Sequence, residues 1–388
     1  MNAFEKNHLR VSLRELYESA LAGVDPQRAV KRALRRPALA RAVQSARRLG
    51  LFAVGKAAAG MLEGAPEADA ALAILPKGYP PPVRARVELL FAAHPAPDLS
   101  SVRAARRSLA FFRSFSDRDV VLCLVSGGAS SLLCLPRPGI TLAKKRAAVS
   151  RAMASGASIV EINRLRKRLS AVKGGKLGRA TLARLVTLVI SDVPGDDPAI
   201  VGSGPTVRGR RGDLVSVVAS NRTGLDAAAR LARARGRRAH IVTRRLEGEA
   251  RQAGLRFGLA ARRLEPGAAL LAGGETTVTL SWRPGKGGRN LELALAAAIE
   301  LDGREGIGLL AAGSDGIDGS SRAAGAFADG ATLERARRRG LDPEEALRHH
   351  DTERFFADLR DLLVTGPTGT NVCDWVFALR AGNGKRKT

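Results

Sequence analysis

The sequence predicts an α/β fold of two domains, each built on a mostly parallel, doubly wound sheet. Two observations predict it. Short apolar runs of about four to six residues alternate with helix-like segments, as in a parallel sheet covered on both faces. At 388 residues the chain also exceeds what one hydrophobic core normally organises.

The opening segment reads as a helix, because Leu9, Leu13, Leu16 and Ala20 share one face. Asp25-Pro26 reads as an N-cap followed by proline at the first helical position. Buried strands are expected at LFAV (51–54), ALAIL (71–75), VELLFA (87–92), VVLCLV (120–125) and LVTLVI (185–190). The basic, glycine-containing VRGRRGD (207–213) reads as a linker, which sets the domains at 1–212 and 213–388. A second series follows at VSVVAS (215–220), AHIVT (239–243), ALLAGGETTVTLSW (269–282) and GLLAAGSDG (308–316). Within it, Val278, Leu280 and Trp282 alternate with polar residues like a half-exposed strand. The tail GNGKRKT reads as frayed.

Lys and Arg number 64 against 37 Asp and Glu, a net charge of +27. Such an excess suits a nucleic-acid binder or an enzyme that steers anions. The arginines are dispersed and no aromatic-rich basic patch accompanies them, so no nucleic-acid partner is expected. Cys123, Cys134 and Cys373 form no CxxC pair, which points away from a zinc site or a disulfide framework. No apolar signal core or membrane-length run is present, and a reduced cytoplasm is the expected setting. A homodimer stays open as the assembly.

GLFAVGKAAAG (50–60) nearly spells a P-loop, but Ala57 stands where Ser or Thr would be needed. Leu51 to Val54 are too apolar for a phosphate-cradling loop and read as the strand itself. Lys56 then lies at a strand's carboxyl end and a helix's amino end, where open α/β sheets bind ligands. Ser126, Gly127 and Gly128 repeat that geometry, and Gly202-Ser203-Gly204 is a second glycine cradle. Asp192 could bind magnesium, or the carboxylates of its loop could simply cap the next helix. GGETT (273–277) carries Glu275; GKGGRN (285–290) carries Arg289 and Asn290, with Asn290 a plausible N-cap. Asp315 and Asp318 mark another strand end. Loops of this kind, with lysine, arginine and carboxylates, are the parts a phosphoryl-transfer site needs.

At SGGASSLL, EINRLRKRLSAVKGGKL, ISDVPGDDPAIVGSGPT, GGETTVTL, GKGGRN, AGSDGIDG and LLVTGPTGTNVCD the chain resembles the glycerate 2-kinase family, whose C-terminal half is a MOFRL domain. The resemblance runs from the first helix to about Leu379. It implies phosphorylation of D-glycerate to 2-phosphoglycerate with ATP and Mg²⁺, in a cleft between two α/β domains. It also implies that Lys56 and Arg289 are active-site cations: Lys56 for a carboxylate or phosphate, Arg289 for charge on the transferring phosphoryl group. Ser126, Gly127, Gly128, Asp192, Gly202, Ser203, Gly204, Glu275 and Asn290 would bind substrate or nucleotide. Asp192, Asp315 and Asp318 would serve the metal.

The sequence departs from the family pattern at Val54, Arg168, Leu291 and Arg322, where glycine, histidine, glutamine and aspartate are usual. Only Arg208 to Ala219 separate Val207 from Ser220, a shorter junction than the family's. That leaves open a catalytically impaired homologue that binds a nucleotide or another anion. Some members are labelled hydroxypyruvate reductases, but no G-x-G-x-x-G turn with a following acidic residue is present for a nicotinamide.

Overall fold

The computed structural model describes residues 3–156 and 159–382; most of the expected frayed tail lies outside them. Six strands make the first sheet: β1 (Leu49–Val54), β2 (Ala70–Pro76), β3 (Glu88–Ala92), β4 (Val120–Val125), β5 (Arg184–Ile190) and β6 (Leu214–Ala219). Their order is β3-β2-β1-β4-β5-β6, and every neighbouring pair is parallel. Residues of β1 and β4 are buried throughout, which is why both read as unbroken apolar runs rather than alternating ones. The strand order reverses between β1 and β4. A crevice opens beyond the carboxyl ends of strands at such a switch point.

The second sheet holds β7 (Arg238–Leu246), β8 (Ala268–Gly274), β9 (Ile307–Gly313), β10 (Gly325–Asp329), β11 (Leu362–Leu363) and β12 (Asp374–Arg380). Its order is β11-β10-β9-β12-β8-β7. It is mixed: β7, β8, β9 and β11 run one way, while β12 and β10 run against their neighbours. The helix Arg289–Leu301 lies against this sheet with Leu291, Leu293, Leu295 and Leu301 buried.

The α/β class is as expected from sequence, but the boundaries are drawn elsewhere. The chain divides into one unit of 25–220 with 369–371, and another of 1–24, 221–368 and 372–388. Two forces move the boundary from 212/213. The opening helix, Ala3–Gly23, buries Leu9, Leu13, Leu16 and Ala20 against the second unit, where it meets β9, β12 and the helix Asn221–Ala234. β6, placed in the second series by sequence, pairs with β5 instead.

Nor is 207–213 a free linker. The Arg208 guanidinium is 3% exposed and uses all of its N–H donors. It donates to Asp213 Oδ2 at 2.7 Å and Oδ1 at 3.1 Å, and to the carbonyls of Gly178, Thr181 and Ala183 at 2.5, 2.8 and 2.7 Å. Asp213 in turn accepts from Leu185 N at 2.9 Å. The short junction is thus a pinned turn that delivers β6 to the sheet edge.

The expected strand TVTLSW is not one. Past an isolated bridge at Thr277 the chain runs irregularly, and Trp282 is 93% exposed. Its backbone is held by side chains instead: Thr279 N donates to Glu249 and Ser281 N to His350 Nε2. The Asp25 cap is present, accepting from Arg28 N at 2.7 Å. Cys123, Cys134 and Cys373 are buried and form no disulfide among the described residues. Among the described residues no helix is long and apolar enough to cross a membrane.

Candidate active site

In the first unit, the loops after β1, β4 and β5 converge at the switch point. Lys56 N donates to Gly127 O at 2.9 Å, and Ala57 N donates to the buried Ser126 Oγ at 3.1 Å. Gly55 makes this contact feasible. Its φ is +123°, and a Cβ there would lie 2.2 Å from Ser126 Oγ and 2.6 Å from Ser126 O. Gly127 permits a second close approach, since its Cβ would fall 2.1 Å from Asp192 Oδ2. The Lys56 side chain and the His94 ring both border Gly128. Lys56, Ser126, Gly127, Gly128 and Asp192 therefore form one constellation.

The second glycine cradle is built against it. Gly202 packs on Ala129, and Ser203 Oγ lies 3.1 Å from Ser130 Oγ. Gly202, Ser203 and Gly204 have φ of +57°, +66° and +56°. For the serine this is an uncommon and strained conformation. It is held by two backbone bonds, Gly174 N to Ser203 O at 2.9 Å and Gly175 N to Gly204 O at 2.8 Å. These interlock the cradle with Lys173-Gly174-Gly175. Asp197, from the same acidic loop, takes the structural option: it accepts from Ala199 N at 2.8 Å.

In the second unit, Glu275, Arg289, Asn290, Asp315 and Asp318 gather around the ends of β8 and β9, where β12 starts. Arg289 Nε donates to Asp374 Oδ2 at 2.5 Å, its Nη2 to Asp374 Oδ1 at 3.0 Å, and its Nη1 lies 2.8 Å from Glu275 Oε1. Burial opposes the arginine's charge, but Asp374 and then Glu275 outweigh it and hold the guanidinium firmly protonated. A Cβ on Gly313 would sit within about 3.5 Å of Asp374 Oδ1, Asp315 Oδ1 and Asn290 Nδ2.

Asp318 caps the start of the helix Arg289–Leu301. Its Oδ1 accepts from Asn290 N and Nδ2, both at 3.1 Å, and its Oδ2 from Leu291 N at 2.8 Å. Burial pushes its pKa up to about 7, against the pull of those backbone donors. Asn290 is correspondingly not the N-cap; Gly288 holds that position and Asp318 supplies the acceptor. Among the described residues, no three His, Cys, Asp or Glu side chains cluster in a metal-binding arrangement.

A sequence profile described as a domain of unknown function, DUF4147, matches residues 12–232, and the MOFRL family profile matches 268–374. A D-glycerate 2-kinase from Thermotoga maritima is 35% identical over 97% of this chain and 99% of its own. The chain belongs to the glycerate 2-kinase family. A crystal structure of glycerate kinase from the same organism superposes with a TM-score of 0.87 at 34% identity, covering 97% of this chain and 100% of that one. Another family relative, from Agrobacterium vitis, is 42% identical over 74% of this chain and 87% of its own length, and carries a provisional hydroxypyruvate reductase name.

Three residues with chemistry were missed. Asp374 was visible within GTNVCD, but only the fold puts it under Arg289. Lys173 lies in VKGG, a motif with no assigned role. Lys145 gave no signal, since a lysine in a basic helix reads as solvated.

Proposed function

We propose that the chain is an ATP-dependent D-glycerate 2-kinase. The observation that supports this most is the near-complete overlay on a glycerate kinase. In the reaction, the C2 hydroxyl oxygen of glycerate attacks the terminal phosphorus of ATP. The bond from that phosphorus to ADP breaks, and the hydroxyl loses its proton. Such a transfer depends on positioning and charge stabilisation rather than on covalent help from the protein.

Lys56 would contribute a half-buried ammonium side chain at a strand end, bordering Gly128 of the Ser126–Gly128 turn. Its task is an anion, either the glycerate carboxylate or a phosphate. Arg289 would act differently from a free cation. Asp374 and Glu275 together more than offset its charge and use three of its five N–H donors. It offers the remaining donors in a fixed plane, which is orientation rather than net charge. Asp192 and Asp315 are the candidates to meet a phosphate-borne magnesium, which when bound would neutralise phosphate charge.

A coupled assay with ATP and D-glycerate tests the reading. Turnover by the native chain that drops at least about 100-fold in Lys56→Met supports it. Turnover equal in the native chain and a Lys56→Ala, Arg289→Ala double variant would sink it. Phosphorus NMR of the product separates 2- from 3-phosphoglycerate.

A further inference from the structure

A cavity of about 440 Å³ lies in the first unit, beside the short helix Ala129–Leu132 that follows the Ser126–Gly128 turn. Its apolar lining comes from Pro95, Pro97, Val149 and Met153. Lys145, Arg146, Arg166 and Lys173, with the Ser130 hydroxyl, supply the polar lining. No Asp or Glu lines it among the described residues.

Among the described residues, two of these lysines are buried with no carboxylate acting on them. Lys173 is 3% exposed, and its Nζ donates to Ser130 Oγ at 2.5 Å and to Ser130 O. Lys145 is 4% exposed, and its Nζ finds no hydrogen-bond acceptor other than the Cys134 sulfur beside it. Burial and the neighbouring ammonium push the Lys173 pKa down to about 7. Isolated buried charges are costly, and a site that keeps two of them is built for an opposite charge. The cavity is far larger than a three-carbon acid needs and lies in the range of small-molecule pockets, roughly 300–1,000 Å³.

We propose that this cavity seats the nucleoside triphosphate, with the nucleoside against Pro95, Pro97 and Val149 and the phosphates turned toward Lys145, Lys173 and Ser130. Ser130 ties the pocket to the catalytic loops, because it bonds Lys173 on one side and meets Ser203 on the other. The proposal rests on the kinase reading.

The test is calorimetric titration of the full chain with ATP and, separately, with inorganic tripolyphosphate, in native protein, Lys145→Met and Val149→Trp. Lys145→Met is expected to weaken ATP at least tenfold while raising the melting temperature of the ligand-free protein. A merely structural lysine would lower both. Val149→Trp is expected to block ATP and spare tripolyphosphate. ATP affinity within twofold of native in both variants overturns the proposal; if ATP and glycerate still turn over, the kinase reading stands without it. Tripolyphosphate binding without ATP binding in the native chain overturns the nucleotide assignment, and so does no binding of either.

Discussion

Asp374 grips the Arg289 guanidinium through two parallel bonds, Nε to Oδ2 at 2.5 Å and Nη2 to Oδ1 at 3.0 Å. The carboxylate is 6% exposed and the arginine 32%, so the pair sits where solvent screens it only in part. Replacing the carboxylate should free the guanidinium to rotate. Asp374→Asn is expected to lower kcat about 100-fold. It should also destabilise the fold by about 3 kcal/mol, since an arginine charge loses its buried partner. Steady-state kinetics and urea unfolding of the same preparation check both figures.

Asp318 gives a pH signature. Its carboxyl is raised to about 7 in the folded state, mainly by burial, from an ordinary 3.8. The native chain therefore binds more protons than the unfolded chain between those values, and stability falls as pH rises through that window. The fall flattens above about 7. Asp318→Asn removes it while keeping an acceptor for the helix start. Unfolding free energies of the native chain and the variant at pH 5 and pH 8 should converge on the acid side and differ in slope between.

Arg208 should be the most sensitive residue of the junction. Arg208→Ala leaves Asp213 buried without its cation, at a cost of about 3–5 kcal/mol. Arg208→Lys should fail to rescue, because an ammonium cannot reproduce the fork that reaches Asp213 and three carbonyls. Thermal melts of the two variants test this. A lysine variant as stable as native would contradict it.

Gly55→Ala should abolish the Lys56 site by displacing the turn. The new methyl would meet Ser126 Oγ, Ser126 O and Gly127 O at 2.2, 2.6 and 2.8 Å, at a φ of +123°. Strain and overpacking together should cost about 2–6 kcal/mol. Denaturation with a parallel activity assay reads the effect.

Sequence carried the first unit well, because its central strands β1, β4 and β5 are buried almost throughout and read as unbroken apolar runs. It carried the second less well. β12 brings Asp374 to Arg289, but DWVFALR follows a loop and pairs antiparallel on both sides, so no strand–helix alternation announces it. TVTLSW misled for the opposite reason: its alternation is genuine, yet Glu249 and His350 hold the segment, and no strand pairs with it past the bridge at Thr277. Arg208 shows a third limit. A run of arginine and glycine looks flexible until its carbonyl partners, distant in sequence, are known.

The opening helix has a consequence for how the chain is made. Leu9, Leu13 and Leu16 find cover beside the helix Asn221–Ala234, β9 and β12, and β12 is complete near Arg380. The intervening unit, 25–220, can assemble while that greasy stripe still waits. At roughly 5–20 residues per second, the wait during synthesis lasts on the order of 20–70 s. The stripe is fully covered only after β12 has been made, so the first helix of the chain is among the last elements to complete its native packing.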